Sequence, residues 1–276
     1  MMWRNLRLLF LCLTVIVVTA CASSAQLVAG ETPANTLQRI ADRGELVVGM
    51  AGSMPPLNMT TKDGELIGME VDIAKAMAES MGVKANIKTM PFADLLGALG
   101  QGDVDIVMSN MTITPQRNLK YAFAGPYLIS GKCLLTKQET LAAAKDTAQI
   151  NSPDTKLAAL AGSTSEELAR EGAPQAQLTT VKDYDEGVQM VIDGTVHAMI
   201  ADYPLCAVSN LRYPEAGFVS AFSLLSYEPL GVALPANDSH MLNWLQNYFG
   251  ALEGSGVLAL LKLSWLEDDS WIGQLK

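Results

Sequence analysis

The sequence predicts an α/β fold built as two lobes of similar architecture. Short apolar runs alternate with helix-spaced amphipathic segments, which argues for mixed, mostly parallel sheets covered by helices. A helix–glycine–strand unit occurs twice, 92 residues apart. Polar residues fall at the carboxyl ends of the strands, where open α/β sheets bind ligands.

The elements follow in order. Arg4 and Arg7 flank the start of an uncharged apolar run, Leu8 to Val18. It is shorter than the ~20 residues of a spanning helix, so residues 1–20 are expected to be a signal peptide. Val18-Thr19-Ala20-Cys21 resembles a bacterial lipobox, with Cys21 as the lipidated first residue of the mature chain; cleavage after Ser23-Ser24-Ala25 is the alternative. Residues 21–35, rich in Ala, Ser and Thr, read as a tether. Leu46 to Met50 is an apolar strand. Gly68 to Ser80 carries Ile73 and Met77 at helical spacing, with Gly82 suited to a left-handed stop. Val83 to Met90 alternates as a strand.

Phe92 begins a helix that stops at Gly102, and the strand Val104 to Met108 leads to Ser109-Asn110. In the second unit Tyr184 begins a helix that stops at Gly194, and the strand ends at Ala201-Asp202. Between them the strand Leu157 to Leu160 leads to Gly162-Ser163-Thr164. Glu166 and Glu167 then stand in the first turn of a helix whose amides near Ser163 and Thr164 suit an anion.

Composition narrows the function. Removal of the signal leaves 17 basic against 29 acidic residues, a net charge of −12 with no basic stripe, so nucleic acid is not an expected partner. The 14 methionines read as core gap-fillers. Cys12 leaves with the signal, and Cys133 and Cys206, each in an apolar stretch, are expected to be buried free thiols, with pairing in an exported protein as the alternative. His197 and His240 lack partners at metal-ligand spacing, and no phosphate loop or nucleophile elbow is present, so no metal or cofactor is expected.

The run Gly102-Asp103-Val104-Asp105-Ile106-Val107-Met108-Ser109-Asn110-Met111-Thr112-Ile113-Thr114-Pro115-Gln116-Arg117 carries a family resemblance, together with Gly68-Met69-Glu70-Val71-Asp72-Ile73-Ala74, Pro126-Tyr127 and Ser130-Gly131. In this order they resemble the type II periplasmic solute-binding proteins of amino-acid ABC importers, over almost all of the mature chain. The resemblance implies a ligand cleft lined by Met54, Phe92, Ser109, Asn110, Thr112, Arg117, Ser163, Thr164 and Asp202. Arg117, with Thr112 and the amides at Ser163 and Thr164, is expected to hold a ligand carboxylate, and Asp202 its ammonium. The bland alternatives are a surface ion pair for Arg117 and a helix cap for Asp202.

Two departures narrow the ligand. Met54 stands where relatives commonly place an aromatic ring, and Ala51-Gly52-Ser53 lacks the acid common in binders of basic amino acids. A neutral or polar amino acid is therefore expected. Asn110 replaces a small residue and is expected to narrow the pocket. The resemblance implies an exported, periplasmic or cell-envelope monomer serving the membrane subunits of an ABC importer, with only a lipid anchor touching the membrane. Lobe 1 is expected over residues 36–128 and 229–276, lobe 2 over 129–228, with hinges near Leu128-Ile129 and Glu228-Pro229. Trp244, Trp265 and Trp271 are expected to pack within lobe 1. Binding without catalysis is expected; a cyclohexadienyl-dehydratase-like enzyme and a ligand-sensing module are the alternatives.

Overall fold

The computed structural model describes residues 35–219 and 226–275. The expected signal peptide, Cys21 and all of the tether but residue 35 lie outside them. α1 (Thr36–Arg43) is capped by Asn35 and closed by left-handed Gly44. It leads into β1 (Glu45–Met50) and a small antiparallel sheet of β2 (Ser53–Met54), β3 (Asn58–Thr60) and β4 (Leu66–Ile67). α2 (Met69–Ser80), β5 (Lys84–Thr89), α3 (Leu95–Gln101), β6 (Ile106–Val107), α4 (Pro115–Asn118) and β7 (Tyr121–Ser130) follow.

A second set comprises β8 (Lys132–Thr136), α5 (Glu139–Ala142), β9 (Lys156–Leu160), α6 (Thr164–Gly172), β10 (Gln177–Val181), α7 (Tyr184–Ile192), β11 (Ala198–Asp202) and α8 (Tyr203–Arg212). The chain returns through β12 (Glu228–Pro235) and ends in α9 (Ser239–Gly254) and α10 (Val257–Lys262).

The first lobe is the five-stranded sheet β5-β1-β6-β12-β7 and the second the four-stranded sheet β10-β9-β11-β8. In the first, β1 runs parallel to β5 and β6, while β12 is antiparallel to β6 and β7. In the second, β9 runs parallel to β10 and β11, and β8 is antiparallel to β11. The chain passes from one sheet to the other at Gly131, between β7 and β8. Glu228, where it has returned, pairs with Ser130. The two passages therefore run side by side.

The twin units appear as expected: α3 and α7 each run out into a left-handed glycine, Gly102 (φ 78°) and Gly194 (φ 79°). Of the strand expected over Val104 to Met108, only Ile106–Val107 forms regular ladder. Asp105 N–H and Met108 N–H still bond Val47 and Gly49 carbonyls, so the segment keeps its place beside β1. Among the described residues nine methionines, including Met50, Met69, Met77, Met108, Met199 and Met241, are buried, in keeping with their reading as core.

Two expectations fail. Cys133 and Cys206 are not free: with Cα atoms 6.5 Å apart they form a disulfide that ties β8 to α8. Their apolar surroundings disclosed burial but not proximity. Trp271 does not pack purely within the first lobe, because it clusters with Met59 and with Val208 of α8. Trp244 and Trp265 do flank the first lobe's core, and Trp265 Nε1 donates to Asp72 at 2.9 Å.

Candidate functional site

The carboxyl ends of β6, β9 and β11 face one another across a narrow cleft whose free space is too small to hold a water molecule. Met54, Phe92, Asn110, Thr112, Arg117, Ser163, Thr164 and Asp202 line it, together with Lys132 and Tyr184. Ser109 does not. Its buried hydroxyl accepts from Ala51 N–H at 2.8 Å and donates to Met54 Sδ at 3.4 Å, so it supports the wall from behind.

Arg117 sits on the one-turn helix α4, whose N-cap, Thr114, accepts from Arg117 N–H. Its guanidinium donates to the Thr112 carbonyl at 2.9 Å and, across the cleft, to the Gly162 carbonyl at 3.0 Å. It also lies 5.8 Å from the centre of the Phe92 ring. Burial pulls its pKa down from the ordinary value, and Glu167, Glu228 and Asp202 oppose that shift. Only two of the five guanidinium N–H groups are used on these carbonyls.

Asp202 ends β11 and is already surrounded by donors. Lys132 Nζ lies 2.5 Å from Oδ1, while the Tyr184 hydroxyl (2.6 Å) and Asn110 Nδ2 (2.7 Å) donate to Oδ2. Burial, then the Asp202 charge, push the Tyr184 phenol well above its usual pKa, so it stays a proton donor. Glu228 extends the cluster: its Oε2 accepts from Thr112 (2.7 Å) and Thr164 (2.9 Å) and lies 3.6 Å from Lys132 Nζ. Its Oε1 accepts from Ser226 at 2.6 Å. Lys132 is only 1 % exposed. Burying a cation is costly unless it is paired, and two carboxylates pair it here.

Asn110 is the one non-glycine among the described residues with positive φ, at 51°. Its N–H donates to Glu70 Oε1 at 2.7 Å, which holds the turn, and its side chain reaches the second lobe. Its Oδ1 is buried without a partner. Ser163 N-caps α6 through Glu166 N–H, and its own N–H bonds the Leu160 carbonyl. The expected amide pair for an anion therefore reduces to the Thr164 N–H, which at the first helical position has no partner within the helix.

Sequence reasoning does not place Lys132, Tyr184 or Glu228 in the site. The available signal for Lys132 was a charged residue at the head of an apolar strand beside the crossing at Ser130-Gly131. From sequence Tyr184 marks only a helix start and Glu228 only a hinge.

Residues 46–268 match the model of the bacterial extracellular solute-binding proteins, family 3. The L-cystine-binding protein TcyJ of Escherichia coli K12 is 27% identical over 233 residues, covering 84% of this chain and 86% of that one. The cyclohexadienyl dehydratase of Pseudomonas aeruginosa is 27% identical over 248 residues, covering 90% and 91%. Among solved structures, the putative ABC-transporter binding component of Wolinella succinogenes, complexed with lysine, is 32% identical. It matches with a TM-score of 0.79 over 84% of this chain and 99% of its own.

Proposed function

The chain belongs to the bacterial extracellular solute-binding proteins, family 3, and from that premise we propose that it captures a small amino-acid-like ligand between its lobes and presents it to an ABC importer. The observation that carries this reading is the convergence of Arg117, the Thr164 amide and the Lys132–Asp202–Glu228 cluster on one cleft between two sheets. Arg117 keeps spare N–H donors for a carboxylate, helped by the start of α6. Met54 and Phe92 form the apolar wall against the ligand side chain. That wall carries no acid for a basic side chain, so a neutral or polar ligand fits it better than lysine or arginine, although a similar protein is known with lysine bound.

Lobe 1 would comprise residues 36–128 and 229–276, and lobe 2 residues 129–228. Closure about the paired passages at Gly131 and Glu228 would bury the ligand. Ligand would favour the closed form only through contacts made to both lobes, which Arg117 and the Asp202 cluster provide. The protein would act as a monomer outside the cytoplasm, with Cys21 as a lipid anchor.

One observation favours a second reading, a dehydratase of the cyclohexadienyl type: Glu228 is a buried carboxylate beside the cleft, where such an enzyme would need a group that exchanges protons with its substrate. A thermal-shift screen of the ligand-stripped protein against the amino acids and prephenate separates the two. Ligand at a hundred times its Kd adds about 2.7 kcal/mol of stability. A selective shift with no product by mass spectrometry is expected; turnover of prephenate overturns the binding-only reading.

A further inference from the structure

We propose that Lys132 sets the ligand class of the cleft: it supplies internally the positive charge that an α-ammonium group brings, so the site favours 2-hydroxy acids over the matching 2-amino acids. The inference rests on the ligand cleft proposed above and names the chemistry it selects.

The distribution of donors and acceptors carries it. Asp202 is the acid placed to receive an ammonium, yet Oδ1 faces Lys132 Nζ at 2.5 Å and Oδ2 already accepts from Tyr184 and Asn110. Glu228 accepts from Thr112 and Thr164 on one oxygen and from Ser226 on the other. Both anions are thus engaged by the protein's own groups before any ligand enters. A second ammonium in this buried space would stand beside Lys132, where like charges repel strongly and water does not screen them.

What the site retains is donor capacity and one neutral acceptor. Arg117 has N–H groups beyond its two carbonyl bonds, and Lys132 has N–H groups beyond its bond to Asp202. The neutral acceptor is Asn110 Oδ1, which is buried and unpartnered. A hydroxyl matches this set, since it accepts from an ammonium and donates to an amide oxygen. An α-ammonium offers only donors, and three of the four lone-pair sites of Asp202, the acid placed to receive it, are already used.

The test is calorimetric titration of the purified, ligand-stripped protein with matched pairs: L-alanine and L-lactate, L-leucine and (S)-2-hydroxy-4-methylpentanoate, L-phenylalanine and L-phenyllactate, L-glutamate and (S)-2-hydroxyglutarate. In whichever pair has the fitting side chain, the hydroxy acid is expected to bind at least about tenfold more tightly. Lys132→Gln is expected to move that ratio at least about tenfold toward the amino acid, because it frees Asp202. Should that variant fail to fold with Asp202 unpaired, Lys132→Gln/Asp202→Asn removes both charges and is expected to bind the two members of the pair equally. Tighter binding of the amino acid by the wild type, or a ratio that neither variant changes, overturns the inference and leaves the amino-acid-like cleft standing. Absence of binding by every member of every pair overturns both.

Discussion

Glu70 is a carboxylate fully withdrawn from solvent, and it shows how one residue outside the cleft governs it. It accepts from Asn110 N–H, Asn58 Nδ2 and the Tyr127 hydroxyl. Asn58 Oδ1 in turn accepts from Gly52 N–H, so a single carboxylate organises both the Asn110 turn and the start of the β2 loop. Burial raises its pKa from the ordinary 4.5, with the three hydrogen bonds pulling the other way. The folded protein therefore holds this proton more tightly than the unfolded chain. Between 4.5 and the raised value the folded state binds more protons, so the Glu70 contribution to stability falls as pH rises. Glu70→Gln is expected to flatten that part of the profile in urea melts from about pH 4 to about pH 8; parallel wild-type and variant profiles would refute it. Arg117→Ala should cost about 2–5 kcal/mol of ligand binding while the melt stays cooperative. Wild-type affinity in that variant would remove Arg117 from the site.

Among the elements, β8 and α8 matter most because they flank the strand that carries Asp202. β8 begins with Lys132, and the Cys133–Cys206 disulfide joins it to α8 across 73 residues of sequence. By loop-closure entropy this link contributes about 4 kcal/mol. Cys133→Ala/Cys206→Ala should lower the melting temperature accordingly and weaken ligand binding, as Lys132 and Asp202 lose their common brace. An unchanged melting temperature would show that the β8–β11 ladder suffices. In the first lobe α2 starts at Gly68, with φ 134°, where a Cβ would lie 2.2 Å from the Leu57 carbonyl oxygen. That oxygen accepts from Glu70 N–H at 2.9 Å. Gly68→Ala is thus expected to destabilise by about 3 kcal/mol and to disturb Glu70 with it, as denaturation and ligand titration together would report.

At the scale of the whole molecule, the cleft is closed by bonds between the lobes: Arg117 to Gly162, Asn110 to Asp202 and Thr112 to Thr164. Gly162 comes so near the opposite wall that a Cβ on it would lie 3.1 Å from Ala93 Cα. The closed form leaves little room, so on the proposed function the lobes would part about the β7–β8 and β12 passages to admit ligand. Small-angle scattering should show the ligand-stripped protein larger than the ligand-bound one. Asn110→Ala, which removes one bridging bond, should enlarge the ligand-stripped form further. Equal radii with and without ligand would count against a hinge.

The sequence by itself determined the alternation of strands and helices, the glycine stops at Gly102 and Gly194, and the strand ends at which Asn110, Thr164 and Asp202 stand. These follow from side-chain periodicity and backbone preferences over a few residues, which a chain expresses locally. The repeated helix–glycine–strand unit suggested two lobes, and the resemblance to a family supplied the roles expected of those residues and of Arg117. Only the tertiary structure decided that Lys132 pairs with Asp202, 70 residues away, that Glu228 joins them, and that Cys133 meets Cys206. Only it moved Ser109 behind the wall. The physical reason is that burial and proximity are different facts: an apolar stretch states that a residue will be inside, whereas its partner there is set by how two distant strands pack. A buried charge makes that partner decisive, since the same lysine is intolerable alone and stable beside two carboxylates.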